Sequence, residues 1–239
     1  MEPVSRERVH DLTTARPPNR HRTPRANIVD RLALRLSTSK TIDGLWVGVW
    51  QDKPQQYLQR VEEALSLIKT CDRVRYDRLI RDPKRVWVFL LPASIGSFKE
   101  ALQACQLDPR FVLDQRSTPD IIAAVIVHEA THARLRRCGF GYREEVRPRV
   151  EAICVRRELA FARRLPDGAR VREWAEASLA ACATPDALTD VARERRHVEG
   201  SLEGLRHLGA SGWVLRLSRA LLKVTIGIRQ FIRSLNRRN

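Results

Sequence analysis

The stretch that most constrains the fold of this chain is Ile121-Ile122-Ala123-Ala124-Val125-Ile126-Val127, which runs directly into His128-Glu129-Ala130-Thr131-His132. Thr118-Pro119-Asp120 reads as an N-cap, a proline at the first helical position and an acid in the first turn. Gly139 stands where a helix ends in a left-handed residue. The pattern predicts one helix between Thr118 and Gly139. Because its first half is apolar on every side, that helix is buried, and the two histidines and Glu129 enter from the protein core. His128 and His132 are four residues apart, so they share a face one turn apart and can share a metal ion. Glu129 follows the first of them, placed to reach a water near that ion without ligating it. Two neutral imidazoles, an open position for water and a base are what a zinc hydrolase needs. Buried imidazoles and a buried carboxylate are costly without a partner. The alternative is a helix with two satisfied core histidines.

Catalytic zinc needs a third protein ligand, and the sequence offers several. Leu135 and Cys138 occupy the places where the metzincin pattern has Gly and His, so that continuation is absent. The nearby acids are Glu144, Glu145, Glu151 and Glu158, and Cys154 lies one turn after Glu151. Eighteen residues separate His132 from Glu151. HExxH followed at that distance by Glu resembles the gluzincin metallopeptidases, over about residues 118–165. The resemblance implies a second helix packed against the first, with Glu151 completing a Zn²⁺ ligand set of His128, His132 and Glu151, and with Glu129 as general base. Residues 149–162 read as that second helix, preceded by Pro148 and closed by Pro166-Asp167-Gly168. Cys138-Gly139-Phe140-Gly141-Tyr142 supplies the reversal between the two. Many gluzincins carry an acid four residues after the ligand Glu, where this chain has Val155; Glu158, further along the same face, is the candidate for that support. The family commonly adds a Tyr or His that stabilises the oxyanion, and Tyr142, His197 and His207 are all available here.

At 239 residues the chain suits one compact domain with extensions. Residues 1–27 read as a disordered basic arm, 28–205 as a zincin-like domain and 206–239 as a basic amphipathic helix. The expected class is α+β and mostly helical, with a small N-terminal sheet before the HExxH helix. Residues 44–50 and 85–91 are strand-like, and residues 54–70 show helical spacing. Ser97-Phe98-Lys99-Glu100 reads as a capping box beginning a helix through Cys105. Phe111-Val112-Leu113 reads as a third strand, and Thr184-Pro185-Asp186 as a helix start. Strand 85–91 is the candidate edge for pairing with an extended peptide substrate, with an ordinary core strand as the alternative.

Five cysteines without CxxC spacing and no signal peptide point to a cytoplasmic protein with reduced thiols. The net charge of +16 allows non-specific affinity for nucleic acid, but the charge is spread along the chain and no recognition motif accompanies it. Val214, Leu217, Leu221, Val224, Ile228, Phe231 and Leu235 form one apolar stripe, which either docks on the domain or a second subunit or makes peripheral membrane contact through residues 213–235. The function expected is a zinc-dependent peptidase acting on a peptide or protein substrate. The alternative is a non-catalytic metal-binding or scaffold protein with the same fold.

Overall fold

The computed structural model describes residues 24–184 and 186–222. It begins with helix α1 (Ile28–Leu36), capped by Asn27, whose side chain accepts from the Asp30 amide at 2.6 Å. Strands β1 (Thr38–Ile42) and β2 (Leu45–Val49) follow as an antiparallel hairpin. Its two-residue loop is Asp43-Gly44, both at positive φ (49° and 84°), the backbone that matches the right-handed twist of paired strands. Helices α2 (Pro54–Cys71) and α3 (Arg73–Arg81) then cross over to β3 (Arg85–Val88), which lies parallel to β2. A second hairpin, β4 (Gly96–Lys99) and β5 (Ala104–Leu107), reverses through a single 3-10 turn and Gln103 in the left-handed region. The short helix α4 (Pro109–Leu113) leads into α5 (Pro119–Arg137), then α6 (Arg147–Ala162), α7 (Ala169–Cys182) and α8 (Asp190–His207); residues 212–222 are also helical.

The class is α+β and mostly helical, with one five-stranded sheet in the order β1-β2-β3-β5-β4. Side chains alternate across it. Val47, Val86, Val88, Cys105 and Leu107 join the main core, with Leu58, Val61, Leu65 and Ile68 of α2 and Ile122 and Ile126 of α5. Trp87 and Ala104 join Ala33 of α1 in a second cluster. Trp87 is fully buried, and its indole donates to Ser37 Oγ at 2.9 Å. The run Ile121–Val127 is buried throughout, as an all-round apolar helix requires.

Four expectations are corrected. The strand at 85–91 is not an edge: β3 is hydrogen-bonded between β2 and β5, and the edges are β1 and β4. Residues 97–105 do not form a helix, because Phe98 pairs with Cys105 and Ser97 with Gln106 across an antiparallel ladder that outweighs the local capping signal. Residues 111–113 are helical rather than a strand, since the Asp108 side chain accepts from the Arg110 amide at 2.8 Å and Pro109 opens the turn. The helix after α7 starts at Asp190 rather than 186, capped by Thr189, whose side chain accepts from the Ala192 amide at 3.2 Å.

Most of the basic arm and the stripe beyond residue 222 lie outside the described residues. Within them, Leu217 and Leu221 are 53% and 59% exposed. Among the described residues no helix is long and apolar enough to cross a membrane.

Candidate metal centre

Three helices and one loop converge on the second half of α5. The Thr118–Pro119 start sets its register, and nineteen residues later it ends beyond Arg137, with Gly139 at φ 85° turning the chain back. α6 then packs antiparallel beside it and carries Glu151, Cys154 and Glu158 toward the histidines. His128 Nε2 lies 3.1 Å from His132 Nε2 and 3.2 Å from Glu151 Oε2, and His132 Nε2 lies 3.4 Å from Glu151 Oε1. Donors roughly 2.0–2.1 Å from one tetrahedral ion stand about 3.3–3.4 Å apart, so this triangle is the size a zinc ion spans. Two imidazoles and a carboxylate are also the right donor chemistry, and the residues present fit the ion.

Supporting contacts surround the triangle. His128 Nδ1 meets Glu158 Oε1, which leaves Nε2 facing the other two donors. Glu158, rather than Val155, is thus the residue of α6 whose carboxylate meets His128 Nδ1. The Tyr142 hydroxyl donates to Glu151 Oε1, and its ring stands edge-on to His132 with centroids 5.4 Å apart. Burial opposes charge on His128, yet its bonds to Glu151 and Glu158 prevail and hold it well above the usual histidine range. Burial would raise Glu151, but the two imidazoles pull it far below the usual carboxylate range.

Glu129 is 6% exposed and is not one of the three donors. Burial raises its carboxyl above the ordinary value, with His132 and His128 acting in the opposite direction. Gly96 at the start of β4 lies against it: a Cβ there would come within 3.0 Å of Glu129 Oε1 and 2.7 Å of Val125 Cγ1. The edge strand and the carboxylate approach this closely only because residue 96 has no side chain.

The other candidates separate. Glu144 turns away and accepts from the Asp190 amide at 2.9 Å, and Glu145 is exposed at the surface. Cys154 stays close: its sulfur and the ring nitrogens of His128 and His132 all lie within 4.8 Å of one another. Burial pushes this thiol well up; Glu151, with its oxygens 3.2 and 3.4 Å from the two imidazole nitrogens, is the candidate third donor. Of the oxyanion candidates, Tyr142 and His197 line the cleft over the triangle and His207 does not. That cleft, about 1580 Å³, is bounded by β4, the α5–α6 loop, α7 and α8.

Sequence reasoning missed the two arginines that hold Tyr142. Arg147 and Arg193 each place their guanidinium carbon 5.3 Å from its ring centre. Arg147 is 2% exposed, donates to the Leu188 carbonyl and pairs with Asp190 at 2.7 Å, which ties the start of α8 to α6. No local pattern marks such a residue, because its partners lie some forty positions away.

No protein-family model matches the chain, and no curated protein or solved structure is similar to it.

Replacing Glu158 by Gln keeps the shape but removes the charge behind His128. Metal affinity is expected to fall about 10–100-fold, as loss of such a supporting group does. Competition against a chromophoric chelator measures it, and an unchanged affinity would show that Glu158 does not support the ligand.

Proposed function

We propose that the chain is a zinc-dependent, metallopeptidase-like hydrolase with a zincin-like fold of the gluzincin type. The observation that carries this is the 3.1–3.4 Å triangle of His128, His132 and Glu151, with the buried Glu129 beside it at the wall of an open cleft. Zn²⁺ held by His128, His132 and Glu151 would supply Lewis acidity and make a nearby water more acidic. Glu129 removes a proton from the attacking water as its oxygen bonds to the amide carbon. The same carboxyl then gives that proton to the amine nitrogen as the carbon–nitrogen bond breaks. The Tyr142 hydroxyl, held by its two arginines, sits where it can donate to a developing oxyanion once a substrate displaces it from Glu151. The edge strand β4 is the natural partner for an extended peptide, since its residues line the cleft and its first, Gly96, lies against Glu129.

A non-catalytic metal site is the second reading, and Cys154 is the observation in its favour. With its sulfur as a fourth protein donor no position would remain for water.

A pool of mixed peptides, analysed by mass spectrometry, tests the proposal. Cleavage is expected, lost on chelation and restored by added zinc. A zinc-loaded protein that leaves every peptide intact, and gains activity only as Cys154→Ser, would favour the closed site.

A further inference from the structure

The basic charge that the sequence spreads along the chain is gathered, in the fold, behind α5. On the face opposite the histidines, Arg75 and Arg78 of α3, Arg134 of α5 and Arg157 of α6 rim a small pocket of about 120 Å³. Its floor is aliphatic, from Ile68, Leu79, Ile126 and Ile153, and the Asp82 carboxylate, already paired with three of the arginines, also lines it. Arg81, Arg137 and Arg164 stand close by, bonded to the same two carboxylates as their neighbours. Asp72 takes Arg75 and, at 3.3 Å, Arg164. Asp82 takes Arg137 at 2.8 Å, Arg81 at 3.2 Å and Arg134 at 3.8 Å. Five guanidiniums therefore share two carboxylates. Among the described residues no carboxylate lies within ion-pair distance of Arg78 or Arg157.

Burial, and then the guanidiniums of Arg164, Arg157 and Arg78, pull Arg75 down to about 10. An arginine side chain is rarely held where its own charge is disfavoured, and a bound anion relieves exactly that repulsion. At about 120 Å³ the pocket has room for a phosphate or diphosphate group. Planar guanidiniums also match phosphate oxygens two at a time, which favours phosphate over a single carboxylate.

We propose that the pocket behind α5 is a binding site for a compact phosphate-type anion, pyrophosphate or the phosphate of a small organic ester, held by Arg75, Arg78, Arg134 and Arg157. The site uses none of the residues of the metal centre and stands whether or not the chain is a hydrolase.

Calorimetric titration of the full-length protein with inorganic pyrophosphate, at fixed ionic strength, tests it. Saturable one-site binding is expected, weakened about tenfold or more in Arg78→Ala and in Arg157→Ala, since charge-assisted bonds to phosphate are lost. Arg195→Ala, which removes the same charge from an exposed ion pair on α8, is expected to bind like wild type. Absence of saturable binding would overturn the site. Equal weakening by Arg195→Ala would also overturn it, by showing that only net charge matters. Binding confined to a DNA strand or to phosphatidylserine vesicles, with none to pyrophosphate, would make the face a polyelectrolyte surface instead.

Discussion

Turnover of Glu129→Gln is expected to fall by about two to four orders of magnitude, the range that general acid–base catalysis contributes. The amide has the shape of the carboxylate but cannot take the water's proton. The variant should fold, because the site is tightly enclosed by Gly96 and Val125 and a neutral amide is no harder to bury there than a carboxylate. It should also keep its metal, because Glu129 is not one of the three converging donors. Loss of turnover with full metal content separates a base from a ligand. Steady-state cleavage of a peptide found in the mixed pool, alongside elemental analysis of the same sample, reads both quantities. Near wild-type turnover would remove Glu129 from the chemistry.

The second large effect is expected in Glu151→Ala. Its carboxylate meets both imidazoles and accepts from Tyr142, so the variant loses a donor and takes away the acceptor of the Tyr142 hydroxyl. Zinc affinity should drop by more than the roughly 10–100-fold expected for a supporting residue, and turnover should fall with it. Cys154, one turn along α6, is the replacement at hand, with its sulfur within 4.8 Å of a ring nitrogen of each histidine. Competition with a chromophoric chelator measures the loss. An affinity equal to wild type would move the third donor to Cys154, and Glu151→Ala combined with Cys154→Ser would then lose the metal.

The centre was more legible in the sequence than the sheet. The α5 helix announces itself through Thr118, Pro119, Asp120, an unbroken apolar run and Gly139, each a local signal with a local cause. Glu151 was singled out only through the resemblance; what the structure adds is that the short reversal packs α6 on α5 and brings this carboxylate within 3.4 Å of both imidazoles. Strand order is different, since it depends on pairings between distant residues. Nothing near Arg85 says that β3 will lie between β2 and β5, or that the edge beside Glu129 will be β4. Ser97 and Glu100 have the spacing of a capping box, yet their segment alternates side chains across a ladder with β5. Asp108-Pro109 and Asp43-Gly44 were signals present but unread, one for a helix start and one for a tight hairpin. The arginine pocket was invisible for a further reason: its rim comes from three helices that meet only in the folded chain.

The most direct measurement is the metal content of tag-free, full-length protein by elemental mass spectrometry, for wild type and His132→Ala. About one zinc per folded wild-type chain, absent from His132→Ala, is what the triangle of donors requires. Wild-type protein that folds but takes up no metal when zinc is offered, or that holds no more than His132→Ala, would contradict it.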